Sequence, residues 1–126
     1  MGLEESFDQL CRQVFPDGLK AGLITDKDGV VILKSTSPDA PINVAESTIP
    51  STFAIANNQA SKLGLKDNRF IVSMFDLYQV VQLDSNPLNV TLVGDAAANT
   101  GLFINLGHQI VDIAQPLVKA LQERQQ

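Results

Sequence analysis

Apolar residues recur at helical spacing in three segments of the chain, and polar residues fill the positions between them. The first segment covers residues 3–14 and carries its charged residues on the opposite side. The second covers 51–63, and Gly64 follows where helices commonly end in a left-handed residue. The third covers 100–121 and contains Pro116, whose missing N–H predicts a kink or a break. The pattern therefore predicts three helices.

Five shorter runs are typical of β-strands, because they are rich in branched aliphatic and aromatic residues and are bounded by polar turns. They cover residues 19–25, 30–35, 70–75, 78–83 and 88–93. The first two are joined by a turn in which Asp28-Gly29 can supply positive φ angles, so we expect a hairpin. Short turns also join the last three, which predicts an antiparallel meander.

The order of elements is helix, two strands, helix, three strands, helix, without an internal repeat. This order predicts one α/β (α+β) domain over residues 1–126, in which a five-stranded antiparallel sheet carries helices on both faces.

The charge and the cysteine content exclude several classes of function. A formal net charge of -5 and the lack of a basic stripe argue against binding to nucleic acid. The single Cys11 cannot form an internal disulfide, and no apolar run reaches the roughly 18 residues that a membrane span needs. We therefore expect a cytosolic protein without direct membrane insertion. Gly2 and Ser6 match the N-myristoylation pattern, but the acidic pair Glu4-Glu5 would repel anionic lipid, so we interpret this stretch as a helix start.

Candidate catalytic and metal-binding residues are few. His108 falls off the apolar stripe of the last predicted helix, and Cys11 lies on the apolar side of the first, where a structural thiol is expected. Asp26 and Asp28 resemble the start of a calcium loop, but the later ligands of that pattern are missing, so we assign both to the turn. No glycine cluster fits a phosphate-binding loop. We expect no catalytic residue, no cofactor and no metal.

Two surfaces have no assigned role in this pattern. The second predicted helix is poor in charge and rich in alanine and asparagine, so its small-residue face either packs on its own sheet or admits a second helix. The run from Arg69 to Phe75 has apolar residues on both faces and, as an edge strand, would invite pairing with another chain.

Several segments of the chain carry a further signal when they are taken together in their order and spacing. They are Asp26-Lys27-Asp28-Gly29-Val30, Ser51-Thr52-Phe53-Ala54, Gln59, Ser61-Lys62-Leu63-Gly64-Leu65, Tyr78-Gln79-Val80-Val81-Gln82, Pro87-Leu88 and Ala98-Asn99-Thr100-Gly101-Leu102. These segments resemble the MEK-binding partner subunits of the late endosomal and lysosomal adaptor complex, Ragulator, a family similar in fold to roadblock/LC7 domains. The resemblance extends from about Gly18 to Leu117, and the chain departs from it at Asn57-Asn58, at residues 74–77 and at 84–86.

The resemblance implies a site for pairing with another roadblock domain. Such domains join through their second helix and third strand, so that one sheet continues across both subunits. The interface residues implied here are Thr52, Ala56, Gln59, Ala60 and Leu63 on the helix, with Phe70, Ile71, Val72, Ser73, Met74 and Phe75 on the strand.

The resemblance also implies partners and a location. The expected assembly is a heterodimer with a second roadblock-domain Ragulator subunit, recruited to the cytosolic face of late endosomes and lysosomes by a lipidated anchor subunit. There it supports Rag GTPase and mTOR signalling and binds the MAP kinase kinase MEK together with ERK. The alternative is an adaptor of the dynein light-chain kind, which shares the fold and favours a homodimer.

Overall fold

The computed structural model describes residues 2–38, 70–74, 77–85 and 87–124 of the chain. The helices are α1 (Leu3–Val14), followed directly by a 3₁₀ turn (Phe15–Asp17), then α2 (Thr100–Ile113) and α3 (Gln115–Arg124). The strands are β1 (Leu19–Asp26), β2 (Val31–Thr36), β3 (Phe70–Met74), β4 (Tyr78–Ser85) and β5 (Leu88–Asp95). The second predicted helix, 51–63, lies outside the described residues.

The five strands form one sheet in the order β2-β1-β5-β4-β3, and every neighbouring pair is antiparallel. The hairpin of β1 with β2 and the meander of the last three strands are therefore confirmed. Gly29 has φ 86°, the positive value that the predicted turn requires. The two hairpin systems meet where β1 pairs with β5, a contact between distant parts of the chain. The predicted five-stranded antiparallel sheet is confirmed.

The last predicted helix is interrupted close to its proline. α2 ends at Ile113 and α3 begins at Gln115, so Pro116 falls in the first turn of the new helix. N–H groups in a first turn have no acceptor within their own helix, so the missing N–H of proline costs no hydrogen bond there. The N-terminus of α2 is capped by Asn99, whose side chain accepts a hydrogen bond from the Leu102 N–H at 3.3 Å. The break is the one that Pro116 predicted from the sequence.

The main core lies between one face of the sheet and the helices α1 and α2. α1 approaches β1 closely, because a Cβ atom at Gly22 would lie 2.6 Å from the Cys11 Sγ. Glycine at this position therefore lets the helix settle onto the strand. The largest fully buried side chains of this core come from both helices and three strands: Phe7, Phe103, Leu106, Ile110, Leu19, Ile24, Leu83, Leu88 and Leu92.

A hydrogen-bonded carboxylate links α1 to β2. Asp8 accepts a bond from the Ser35 hydroxyl at 2.6 Å through one oxygen and from the Arg12 Nε at 2.6 Å through the other. The Ser35 bond, and after it the Arg12 bond, hold the pKa of Asp8 below its ordinary value of 3.8. The charged form of Asp8 thus fastens the first helix to the edge of the sheet.

We predict that Asp8→Asn lowers stability at neutral pH and that this difference disappears in acid. Because the pKa of Asp8 is lower in the folded than in the unfolded chain, its contribution is present above the unfolded pKa and is lost as pH falls through the folded one. Urea midpoints of wild type and variant, measured at neutral pH and well below pH 3.8, test this. Glu4→Gln, a change at an exposed acid of the same helix, is the control, and an equal pH response of both variants would contradict the prediction.

Candidate protein-interaction surface

The strand β3 lies at one edge of the sheet, as the sequence predicted for this run. Within the described part of the chain it pairs with β4 alone. Five of the predicted interface residues belong to it: Phe70, Ile71, Val72, Ser73 and Met74. The other six lie outside the described residues: Thr52, Ala56, Gln59, Ala60, Leu63 and Phe75.

The outer edge of β3 presents backbone groups in a regular row. The Leu77 carbonyl accepts a bond from the Ala96 N–H at 3.1 Å, which sets the phase of hydrogen bonding between β4 and β5. The bonds of a strand alternate between its two sides, so the residues of β4 that do not bond to β5 bond to β3. In the register of β3 with β4, this leaves Phe70, Val72 and Met74 with their N–H and C=O groups directed away from β4. These groups form a template onto which a further strand can add.

The opposite edge of the sheet, β2, is protected by contrast. Its register with β1 shifts after Ile24, which leaves Ile32 as the extra residue of a bulge. The exposed Lys34 follows, and a charged side chain on an edge strand discourages pairing with another chain. β3 pairs with β4 over five consecutive residues without a shift and contains no charged residue and no proline. Of the two edges, only β3 has the character of a pairing edge.

Exposure differs among the three β3 side chains that the structure describes, Val72, Ser73 and Met74. Val72 is partly buried and packs against the main core, and Ser73 on the other face is also half-buried. Met74, by contrast, is 60 % exposed. α2 packs on β4 and β5, so it covers the centre of the sheet rather than this edge. The end of β3 thus carries an uncovered apolar side chain.

A buried glutamine behind this edge holds the neighbouring connection in place. Gln79, which pairs with Met74 in register, donates from its Nε2 to the carbonyl oxygens of Asp95 at 3.0 Å and Ala98 at 2.9 Å. Its Oε1 accepts from the Thr100 hydroxyl at 2.5 Å. The side chain is fully buried, and both its nitrogen and its oxygen have hydrogen-bond partners where β5 connects to α2. Sequence reasoning noticed this residue as part of a shared segment but not its positioning role, which depends on contacts across the fold.

The residues considered for chemistry have structural surroundings. Burial raises the pKa of the Cys11 thiol to about 12, so the thiol stays protonated and unreactive. His108 is exposed on α2. The Asp26 carboxylate accepts the backbone N–H groups of Asp28 at 2.9 Å and Val30 at 3.0 Å, which confirms its role in the turn. No group of three or more histidine, cysteine or acidic side chains that could hold a metal occurs in the described ranges.

No helix within the described segments is long and apolar enough to cross a membrane.

Comparison with known sequences places the chain in a family. Residues 1–121 match the family model described as "Mitogen-activated protein kinase kinase 1 interacting". The Ragulator complex protein LAMTOR3 of Mus musculus is 37% identical over 106 residues, covering 84% of this chain and 86% of that protein. The protein of the same name from Homo sapiens is 38% identical over 101 residues, covering 80% and 82%.

Comparison with solved structures shows the fold. The roadblock/LC7 domain from Streptomyces avermitilis aligns with a TM-score of 0.68 at 12% identity, covering 89% of this chain and 97% of that one. The gliding protein MglB from Thermus thermophilus aligns with a TM-score of 0.75 at 15% identity, covering 95% and 93%. At these identities the likeness concerns the fold, and the predicted roadblock/LC7-like architecture is confirmed.

Both sequence relatives are named as proteins of the Ragulator complex. The resemblance carried by the sequence motifs is confirmed over most of the chain. Alignments that cover 84% and 80% of the chain necessarily include β3 and the strand beside it. The chain belongs to the mitogen-activated protein kinase kinase 1 interacting family, with the roadblock/LC7 fold.

Proposed function

We propose that this chain is a scaffold subunit of a Ragulator complex and that it pairs through β3 with a second roadblock-type domain. The observation that carries the proposal is the unprotected outer edge of β3. The strand has no charge and no bulge, and among the described residues no strand pairs with it on the side away from β4. The LAMTOR3 relatives are named as Ragulator complex proteins, and this supports the choice of assembly.

The proposed interface joins the two sheets edge to edge. The outward N–H and C=O groups of Phe70, Val72 and Met74 bond with the partner's edge strand, and their regular spacing gives the pair a defined register. The proposed contacts on the helix side are Thr52, Ala56, Gln59, Ala60 and Leu63, with Phe75 beyond the strand. A stable interface of this kind buries on the order of 1,200 to 2,000 Å² or more.

The proposed role is to hold signalling proteins together on one surface. A second roadblock subunit completes the sheet, and a lipidated anchor subunit holds the pair at late endosomes or lysosomes. Rag GTPases, MEK and ERK are the proposed clients, and the family description, which refers to interaction with a MAP kinase kinase, supports the kinase part. Scaffolding of this kind acts by raising the effective concentration of bound proteins, so it requires no catalytic residue.

A mixing experiment tests the pairing. The purified chain and the second roadblock-type Ragulator subunit, each at low micromolar concentration, are examined by light scattering alone and together. We expect a one-to-one heterodimer in the mixture. Two separate monomers would contradict the proposal, and a homodimer of the chain that ignores the partner would favour the dynein light-chain-like alternative. A pull-down from cell extract with mass spectrometry then tests the anchor subunit, the GTPases and the kinases.

A further inference from the structure

Two exposed apolar side chains lie close in sequence, at the end of β3 and just before β4. Met74 is 60 % exposed at the end of β3, and Leu77 is 73 % exposed just before β4. We call this pair the Met74/Leu77 patch. Contiguous exposed apolar surface commonly marks a protein contact.

The patch is held in a defined position. The Leu77 carbonyl accepts a bond from the Ala96 N–H at 3.1 Å, so its backbone is tied to the connection between β5 and α2. Gln79 fastens the same connection through the Asp95 and Ala98 carbonyl oxygens. A contact made by Leu77 therefore requires little further ordering of its own backbone, which favours binding.

We propose that the Met74/Leu77 patch is a second contact of the pairing surface and receives the segment that leads into the partner's edge strand. This inference rests on the proposed function. When two equivalent edges pair about a two-fold or pseudo-two-fold axis, the strands are antiparallel. The beginning of the partner's strand then lies beside Met74 at the end of β3.

Continuity with the edge strand selects this occupant. Met74 is the last residue of β3, so a strand that pairs along the whole of β3 passes it. The residues that precede that strand then lie at the end of the sheet where Leu77 is exposed. A second exposed apolar pair, Val30 and Ile32, lies at the bulged, lysine-bearing edge and at the other end of the sheet. It offers no such continuity and serves as a control.

Cysteine labelling tests whether Leu77 is covered in the pair. Leu77→Cys and the control Val30→Cys are labelled with a maleimide, alone and with the second roadblock-type Ragulator subunit. The native Cys11 is fully buried and gives little background. We expect labelling at position 77 to slow by about tenfold or more in the pair, as for a side chain in the core of an interface, and labelling at position 30 to stay the same.

Affinity gives an independent readout. We expect Leu77→Asp to weaken pairing by about thirtyfold or more, the range of interface positions that matter strongly, and Val30→Asp to leave it unchanged. Both positions are exposed in the single chain, so circular dichroism should show both variants folded. A heterodimer that forms normally while position 77 remains fully reactive would overturn this inference and leave the proposed function standing. A wild-type chain that forms no heterodimer would instead contradict the proposed function itself.

Discussion

Replacing Val72 by proline is expected to weaken pairing with a second roadblock-type subunit by about a hundredfold while the chain stays folded. The Val72 N–H points away from β4, so its loss breaks no bond within the sheet. It does remove a donor from the middle of the proposed intermolecular ladder, and the proline ring obstructs the approaching strand. A partner carbonyl left buried without a donor, together with this obstruction, should cost about 3 kcal/mol, or about a hundredfold in Kd.

Calorimetric titration of the variant with the partner measures this loss. The matched control is Lys34→Pro, because Lys34 occupies the corresponding outward-bonding position on the protected edge. The Ser37 N–H bonds to the Lys20 carbonyl at 2.8 Å, and alternation from there turns the Lys34 N–H away from β1. The control should pair with wild-type affinity. Normal binding by a folded Val72→Pro would mean that β3 is not the contact, and loss of binding in both variants would mean that the effect is not specific to β3.

Replacing Gly94 by alanine is expected to produce a large loss of folding stability. A Cβ atom there would lie 2.3 Å from Phe103 Cε2 and 3.1 Å from the Gly18 carbonyl oxygen. Phe103 is fully buried between α2 and the sheet, so its ring cannot turn away without disturbing the core. Overpacking of this kind should cost about 3 kcal/mol, a substantial share of the roughly 5–15 kcal/mol that stabilises a domain.

Urea denaturation followed by circular dichroism measures the change. Gly2→Ala makes the same chemical change where no atom lies within 4 Å of the added Cβ. Gly2 is the N-cap of α1, where glycine is preferred to alanine, so we expect this control to lose only about 1 kcal/mol or less in the free energy of unfolding. An unchanged midpoint for Gly94→Ala would show that α2 can move away from β5 at little cost. The packing of α2 on β5 would then be less tight than the structure indicates.

Local sequence signals predicted the helices and strands that the structure describes. The strand runs 19–25 and 88–93 correspond to Leu19–Asp26 and Leu88–Asp95, so the ends differ by one or two residues. These signals succeed because periodicity, turn residues and the proline effect act over a few neighbouring positions. Pro116 is an example, since the helix breaks beside it as expected.

The surface was less predictable. Five of the eleven predicted interface residues lie on the described edge strand, and the resemblance supplied their role. The sequence did not indicate that Gln79 is a buried anchor. Its hydrogen-bond partners lie about twenty residues away along the chain, at Asp95, Ala98 and Thr100.

From its order of residues alone this chain can be assigned its element types, its hairpins and its lack of a catalytic constellation, because each depends on local pattern or on which side chains are present. Folding in three dimensions settles which edge of the sheet stays open. The β2 strand carries a bulge and Lys34, whereas β3 presents an unbroken, uncharged row of backbone groups. The two strands become the opposite edges of one sheet only because β1 pairs with β5. That pairing joins distant segments, and no short-range preference specifies it.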